Sequence, residues 1–288
     1  MAETFVPTIW SKRIISQLDK FMVADAICNR NYEGEIKAAG NTVKIWTPGD
    51  VTTKTYTANS NHAAPDATTG TDISLVIDQQ KYFNIQFDAV TLAQVPVNIQ
   101  EAYLQRAMYS LRDNVDQYIM GQYANVALAN TRTPAATLTT SNVYTEFLGL
   151  QRLLNDAKLP MEGRYVVVSP RVLEVINAYL ASRATVLGDT VNLNGYLGMF
   201  AGFKVYLSHN VVETDEDMTG TSSTETVHNC LAGITDGITL AKQIPEGTLI
   251  NYTPELRFAT AIKGLLVYGA KMVDTGKRNG LLKAWFAN

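Results

Sequence analysis

The pattern that decides this fold is PVNIQEAYLQRAMYSLRDNVDQYIMGQYANVALAN, residues 96–130, the longest stretch of the chain with one periodicity. Its apolar residues recur three and four positions apart, which places them on one face of a helix and excludes a strand. Asn98 with Glu101 is a helix-start signal, and Asn130 followed by Pro134 is a stop signal. The pattern predicts one helix over residues 98–130, about 45 Å long at about 1.5 Å per residue. The apolar stripe comprises Ile99, Tyr103, Ala107, Leu111, Val115, Tyr118, Ile119, Gly121, Tyr123 and Val126.

Composition limits the class of protein. The chain has 288 residues, of which 46% are hydrophobic, as in ordinary globular proteins. Only 18% are charged, below the roughly 25% of typical soluble domains, so much of the surface is neutral and polar. Because desolvating a neutral polar surface costs less free energy than desolvating a charged one, the composition favours extensive subunit contacts. The net charge of −3 lacks the basic footprint of a nucleic-acid reader.

The cysteines and the N-terminus exclude several other classes. Cys28 and Cys230 lie far apart without metal-ligand companions, so we interpret them as free thiols of a reducing compartment and predict no zinc site. The N-terminal residues lack the apolar core of a signal peptide, and no segment reaches about eighteen consecutive apolar residues. The sequence therefore predicts a protein that is neither secreted by that route nor membrane-spanning.

A long, projecting β-hairpin is predicted upstream of the helix. Val43 and Ile45 alternate with polar neighbours, and residues 73–90 alternate in the same way. Between these runs, residues 52–72 contain Tyr56 as their single large apolar side chain, so this stretch cannot pack a core of its own. A projecting loop of such length is usually ordered by something outside the subunit.

Shorter elements flank this central region. An amphipathic arm is predicted over residues 8–26, and a helix over residues 143–157. A buried central strand over residues 165–168 is followed by Ser169 and Pro170, an N-cap and first-turn proline that start another helix. A strand is predicted over residues 203–207, an exposed acidic loop over residues 213–229, and glycine-punctuated β-structure beyond.

A search for catalytic and ligand-binding motifs finds none. Ser208 and His209 are neighbours on a predicted strand and therefore point to opposite faces, and there is no G-x-S-x-G motif. His62 and His228 are interpreted as turn and surface residues. Metal-loop and phosphate-loop spacings are absent around Asp215 and among the glycines Gly195, Gly198 and Gly202. We predict no catalytic residue, no cofactor and no metal site.

Five residues are candidate contacts between subunits. Lys54 and Tyr56 lie in the predicted hairpin tip. Arg106, Arg112 and Asp116 lie on the polar face of the long helix, where Asp116 and Arg112 are one turn apart and predict an exposed ion pair.

Four segments, together with the order of the elements, carry a family resemblance. They are FVPTIWS (5–11), NRNYEGEIKAAGNTVKI (29–45), GRYVVVSP (163–170) and GMFAGFKVYLSHNV (198–211). These segments resemble major capsid (coat) proteins of tailed bacteriophages, which share the Hong Kong-type phage capsid fold. The resemblance covers nearly the whole chain, and the segments fall in the family's order.

The resemblance implies an α+β architecture with named parts. Residues 1–40 correspond to an N-terminal arm and residues 41–90 to an extended β-hairpin loop. Residues 91–158 correspond to a peripheral domain with a spine helix over 98–130, residues 159–254 to an axial domain, and residues 255–288 to return β-strands of the peripheral domain.

The resemblance also implies a function. The chain is expected to be a structural subunit, not an enzyme, that self-assembles into hexamers and pentamers of an icosahedral virion shell enclosing double-stranded DNA. Expected partners are copies of itself, a separate scaffolding protein, a portal protein, an optional decoration protein, and DNA through non-specific contact, with assembly in the host cytoplasm. The alternatives are an encapsulin-like nanocompartment shell and, disfavoured by the motif search, a hydrolase.

Overall fold

Four helices and thirteen strands are assigned in the described part of the computed structural model, which comprises residues 20, 22–33, 42–49, 51–59, 61–90, 99–126, 130–132, 137–182, 198–216, 225–244, 249–254, 258–273 and 281–287. The helices are α1 (Ala24–Ile27), α2 (Ile99–Gly121), α3 (Val143–Asp156) and α4 (Pro170–Ala181). The strands are β1 (Thr42–Pro48), β2 (Gly70–Val76), β3 (Gln79–Asp88), β4 (Thr131–Arg132), β5 (Arg164–Val168), β6 (Met199–Phe200), β7 (Phe203–Leu207), β8 (Glu213–Glu216), β9 (Glu225–Ile234), β10 (Ile238–Ile244), β11 (Leu249–Tyr252), β12 (Ala259–Met272) and β13 (Leu281–Ala287).

The predicted long helix is present as α2 but is shorter than expected. It ends at Gly121, where the backbone tightens into a 3₁₀ turn over Gln122–Asn125 before Val126 turns extended. Glycine is a poor helix former and 3₁₀ turns are frequent at helix C-termini, so the helix stops nine residues before the predicted end at Asn130. The predicted cap at Asn98 and the predicted stop at Pro134 lie outside the described residues.

The central part of the apolar stripe of α2 is buried, as predicted, whereas Tyr103 near its start is 55% exposed. Leu111, Val115 and Ile119 belong to the main core, and the helix packs against β3 and β12. Two ring contacts hold it there: Phe87 with Tyr103, whose centroids are 5.9 Å apart, and Tyr118 with Tyr268, at 5.6 Å. The helix is thus a one-sided strut backed by a sheet.

That sheet has four strands centred on β12. Strand β3 pairs with residues 259–268 of β12, while β10 and β11 pair with residues 267–272 and 261–264. Since these stretches overlap, β10 and β11 must lie on the edge of β12 opposite to β3. Strand β3 is therefore an outer strand of the sheet in the described part of the chain.

The second sheet has seven strands around β5. All five residues of β5 are buried, between the parallel strand β7 and the antiparallel strand β9, as the continuous apolar run predicted. The Ser169 side chain accepts a hydrogen bond from the Val172 amide, and Pro170 occupies the first turn of α4, so the predicted start of this helix is confirmed. Helix α3 also matches its prediction to within one residue.

Two stretches near the acidic segment differ from expectation. Residues 213–216 and 225–229, predicted as exposed loop, form part of the β8–β9 ladder, while residues 217–224 lie outside the description. This loop prediction is wrong because Val227 is a buried residue of the ladder. In addition, the Asn229 side-chain amide donates hydrogen bonds to the Val212 carbonyl oxygen and the Thr214 hydroxyl oxygen. Backbone hydrogen bonds hold these polar strands together. Because such pairing does not require alternating apolar side chains, the sequence shows no apolar period here.

The pairing of the sheets also differs from the predicted domain limits. Strands β10 and β11, assigned by the resemblance to an axial domain ending at residue 254, lie in the same sheet as β12. Strand β13, assigned to the return strands of residues 255–288, pairs with β9 and β4 in the other sheet. Of the predicted arm helix over residues 8–26, the described residues show helix at Ala24–Ile27 alone.

Asp116 joins three distant segments of this fold. Its Oδ1 accepts the backbone N–H groups of Val23 and Ala24, each at 2.9 Å. Its Oδ2 accepts from the Ser208 hydroxyl at 3.2 Å and from the Asn210 side-chain amide at 2.9 Å. The predicted exposed ion pair is wrong for Asp116, because this carboxylate is fully buried and is satisfied by groups far away in sequence.

No helix in the described ranges is long and apolar enough to cross a membrane.

Replacing Asp116 by Asn should lower the free energy of unfolding by roughly 2–3 kcal/mol, because an amide donor then faces other donors in a buried site. Urea unfolding followed by circular dichroism measures the loss. The matched control is Asp156→Asn at the exposed end of α3, expected to stay within about 0.5 kcal/mol of the parent. Equal midpoints for the two variants would contradict the role assigned to Asp116.

Candidate functional site

The feature with the strongest functional geometry is an antiparallel hairpin formed by β1 and β2. Its register runs from the Thr42↔Val76 pair to the Pro48↔Gly70 pair, and the Gly49 amide donates to the Thr69 carbonyl just beyond. The predicted hairpin is therefore present, but it ends at Val76 and not at residue 90. Residues 79–88 alternate like a hairpin strand, yet β3 pairs with β12 over its full length.

The base of the hairpin packs on a small core of its own. Leu75 and Ile77 are buried against Ala241 and Val267, which face them from β10 and β12. Burial of each large aliphatic side chain contributes roughly 1.5–3 kcal/mol, so this cluster fixes the base. Partly buried side chains complete it, from Tyr32, Val43 and Ile45.

A glycine sets how closely the hairpin approaches the sheet. A Cβ atom at Gly269 in β12 would overlap the carbonyl oxygen of Val76 and lie 2.9 Å from the Ile77 Cα. The hairpin can cross β12 at this point because the residue there has no side chain. One residue further on, the Tyr118 hydroxyl donates to the Asp78 carboxylate at 3.3 Å, which ties the hairpin exit to α2.

Beyond Pro48 and Gly70 the described tip residues make local contacts but belong to no hydrophobic core cluster. The Lys54 ammonium lies 2.6 Å from the Asp66 carboxylate and 3.2 Å from the Ala64 carbonyl oxygen, and the Tyr56 and His62 rings are 5.7 Å apart. The described tip residues 51–59 and 61–69 are all exposed. Because an exposed ion pair contributes about 1 kcal/mol or less, these contacts shape the tip weakly.

The outward face of the hairpin carries large apolar groups. Trp46 is 60% exposed and lies over Gly70, where a side chain would collide with the indole. Val51 and Tyr56 are likewise largely exposed. Exposed aromatic side chains on a projecting element are the residues that serve as anchors in protein–protein contacts.

The predicted contact residues on α2 divide into two groups. Arg106 and Arg112 are exposed, and the Arg106 guanidinium lies 4.8 Å from the centre of the Tyr109 ring. Asp116 is buried within the subunit and cannot be a contact between subunits. Lys54, Tyr56, Arg106 and Arg112 thus remain surface candidates.

Ser208 and His209, which the sequence analysis tested as a nucleophile and base, lie in different environments. The Ser208 hydroxyl is buried and donates to Asp116, and His209 beside it is exposed. No cluster of three metal-ligating side chains occurs among the described residues. Cys28 and Cys230 are free, as predicted. Both are buried, and burial raises the pKa of the Cys230 thiol to about 12.

No family model and no curated protein matches this sequence. Solved structures do match it. A structure from Mycobacterium phage Che8 aligns with a TM-score of 0.80 and 24% identity, over 98% of this chain and 97% of that chain.

Two phage capsid structures also match nearly the whole chain. The capsid structure of cyanophage P-SCSP1u aligns with a TM-score of 0.75 and 15% identity, over 99% of this chain and 94% of that chain. The capsid of Ralstonia phage GP4 aligns with a TM-score of 0.71 and 12% identity, over 99% of this chain and 96% of that chain. The predicted Hong Kong-type phage capsid fold is thereby confirmed for this chain.

Replacing Gly269 by Ala should destabilise the protein by roughly 1–3 kcal/mol, because the methyl group forces the hairpin base away from β12. The matched control is Gly121→Ala, where the added atom meets nothing within 4 Å and should stabilise by about 0.5–1 kcal/mol. Thermal unfolding of both variants tests the pair. Similar shifts in Tm for Gly269→Ala and Gly121→Ala would refute the close approach of the hairpin to β12.

His228 should make stability depend on pH. Burial lowers its pKa below the ordinary value of about 6.5, with the Glu213 carboxylate, 3.2 Å away, opposing the shift and Arg171 adding to it. The folded state therefore favours the neutral His228 ring. The neutral ring contributes fully to the free energy of unfolding above about pH 6.5, and this contribution is lost as the pH falls through the lowered pKa of the folded state.

A His228→Gln variant should accordingly lose less stability than the parent between about pH 7.5 and pH 5. Urea unfolding at the two pH values gives the change in the free energy of unfolding for the variant and for the parent. When the two changes are subtracted, the contributions of ionisable groups that both proteins share cancel. The exposed His209→Gln serves as control and should track the parent. A constant gap between His228→Gln and the parent at both pH values would disprove the linkage.

Proposed function

We propose that this chain is the subunit of an icosahedral phage capsid shell built from copies of itself. The observation that carries the proposal is the hairpin, which is anchored at its base and exposed over its entire described tip. The shared fold with phage capsid structures supports the same assignment. A protruding tip that carries an exposed aromatic side chain and has no core of its own gains its order by lying on a neighbour.

The finer features of the proposal follow from the sequence resemblance. The proposed subunits form hexamers and pentamers, enclose double-stranded DNA, and assemble in the host cytoplasm with a separate scaffolding protein, a portal protein and, optionally, a decoration protein. In this proposal residues 1–40 form the N-terminal arm, β1 and β2 the extended loop, and α2 the spine of a peripheral domain. The net charge of −3 suits a container whose DNA contacts are non-specific.

Contacts between subunits are proposed at Lys54 and Tyr56 in the tip and at Arg106 and Arg112 on the helix. All four side chains are exposed on the surface of the subunit, where a neighbouring copy can contact them. An encapsulin-like nanocompartment on the same fold is the alternative. The phage structures matched here support the phage shell over that alternative.

Shortening the hairpin should abolish assembly while leaving the subunit folded. Residues 50–68 are replaced by Asn-Gly, which closes a two-residue turn between Gly49 and Thr69, already joined by a 2.7 Å backbone hydrogen bond. We expect the free energy of unfolding of this variant to stay within about 1 kcal/mol of that of the parent, and we expect no closed shells to form. Sedimentation velocity and electron microscopy of protein produced with its scaffold measure assembly.

The control keeps the tip at full length and removes only its ion pair, as Asp66→Ala, which is not one of the proposed contact residues. This variant should still form shells, because an exposed pair contributes about 1 kcal/mol or less. Normal shells from the shortened hairpin would overturn the proposed role of the tip. Small species alone from the parent in every condition would overturn the shell proposal itself.

A further inference from the structure

A groove of about 470 Å³ lies between the outer strand β3 and helix α2. Along β3, Phe83 packs on the main core and Phe87 meets Tyr103 of α2, so the odd-numbered residues of this strand face the helix. That face presents Lys81, then Phe83, then Ile85 to the groove. The strand wall of the groove therefore begins with a cation and continues with an apolar floor.

The charged side chains that line the groove are mainly cationic. Lys81 and Arg106 are exposed, and Asp113 is the one carboxylate among the described lining residues. That carboxylate is already engaged, by the Lys20 ammonium 3.7 Å away and by the Asn210 side-chain amide at 2.7 Å. On a chain whose net charge is −3, this groove is therefore locally positive.

The two cations lie towards opposite ends of the groove. Helix α2 is antiparallel to β3, because Tyr118 meets Asp78 just before the strand and Tyr103 meets Phe87 near its end. Arg106 follows Tyr103 by about one helical turn, so it lies towards the end of β3. The lysine lies near the start of β3, and the apolar floor separates the two charges.

The edge of β3 that faces away from β12 has no ladder partner among the described strands. In an antiparallel ladder alternate residues direct their N–H and C=O groups to each edge, so half of β3 offers donors and acceptors on this side. An extended segment laid along an open edge gains main-chain hydrogen bonds while its side chains fill neighbouring pockets.

A peptide fits this groove better than a nucleic acid does. Phosphates along the open edge would meet backbone carbonyl oxygens, which repel them. The Tyr109 ring, a potential stacking surface for a base, has the Arg106 guanidinium 4.8 Å from its centre. Among the described lining residues, two cations at opposite ends do not form the continuous track that a phosphate backbone requires.

We propose that the groove binds an extended acidic segment of another protein as an added strand on β3. Side chains that such a strand directs into the groove come from alternate residues, about 7 Å apart. An acidic residue opposite Lys81, an apolar residue over Phe83 and a second acidic residue near Arg106 complement the groove in charge and in polarity.

This inference goes beyond shell assembly and does not require it. Arg106 cannot contact the acidic segment and a neighbouring copy at once, so the unassembled subunit is the form that binds the segment.

A synthetic seven-residue peptide, blocked at both ends and labelled with a fluorophore, tests the proposal. It has Glu at its second and sixth positions, Phe at its fourth and Thr elsewhere. Fluorescence anisotropy with the full-length subunit measures its Kd. We expect the same peptide with Lys in place of Glu to bind at least about tenfold more weakly, because like charges then meet in the groove.

Charge reversal in the protein is the matched test. Lys81→Glu should raise the Kd of the Glu peptide at least about tenfold, whereas Arg152→Glu, on the exposed side of α3, should leave it within about twofold. A Lys81→Glu, Arg106→Glu double variant should bind the Lys peptide about as tightly as the parent binds the Glu peptide. An unchanged Kd in Lys81→Glu would overturn the proposal.

Main-chain pairing has a readout of its own. Two further versions of the Glu peptide carry N-methyl groups on their odd-numbered or on their even-numbered residues, which removes the donors of one peptide edge at a time. One version should bind about tenfold more weakly and the other within about twofold of the unmethylated peptide. Equal Kd values for all three peptides would refute the added strand.

Three further outcomes would assign the groove to another occupant or to none. The first is no binding of the Glu peptide by the parent up to about 1 mM. The second is a seven-nucleotide single-stranded DNA that binds the parent more tightly than the Glu peptide and is released by Lys81→Glu. The third is a dimer of the parent, seen by sedimentation velocity, that Lys81→Glu dissociates. Each of these results would overturn the proposal.

Discussion

The buried carboxylate of Asp116 is the constraint on which the arrangement of layers depends. A buried charge costs several kcal/mol unless hydrogen bonds surround it, and four donors do so here. They come from the start of α1 and from the turn after β7, so α2, which packs on the four-stranded sheet, is bonded to a turn of the seven-stranded one. Since Asn29, just after α1, bridges to Thr239 in β10, the same constraint also places the N-terminal segment against the first sheet.

Elements with local signals could be predicted from the sequence. The start of α4 depends on Ser169 and Pro170, which act within one turn, and the burial of α2 depends on a period that any helix imposes. The hairpin could be predicted because residues 52–72, between its two alternating runs, contain Tyr56 as their single large apolar side chain. The length of α2 was overestimated because the apolar spacing continues past Gly121, while the backbone does not continue as α-helix.

Features that depend on distant partners could not be predicted. The alternating pattern of residues 79–88 fits a hairpin strand and an outer sheet strand equally, and only the pairing with β12 decides between them. Asp116 was assigned to an exposed ion pair because helix rules consider neighbours three and four residues away. A signal did exist: at 100° per residue, position 116 falls between Ile119 and Met120, both buried, so its carboxylate had to find partners inside.

The hairpin divides into a part that the subunit orders and a part that it does not. An isolated two-stranded ribbon is marginal in water, so β1 and β2 need the cluster around Leu75 and the close crossing at Gly269. Those contacts end near the base, while Trp46 and Tyr56 lie further out and exposed. In the proposed shell each tip contact can be weak, because every subunit repeats it and linked contacts reinforce one another. A rigid base then matters more than a strong tip, since it is the base that holds the tip where a neighbour can meet it.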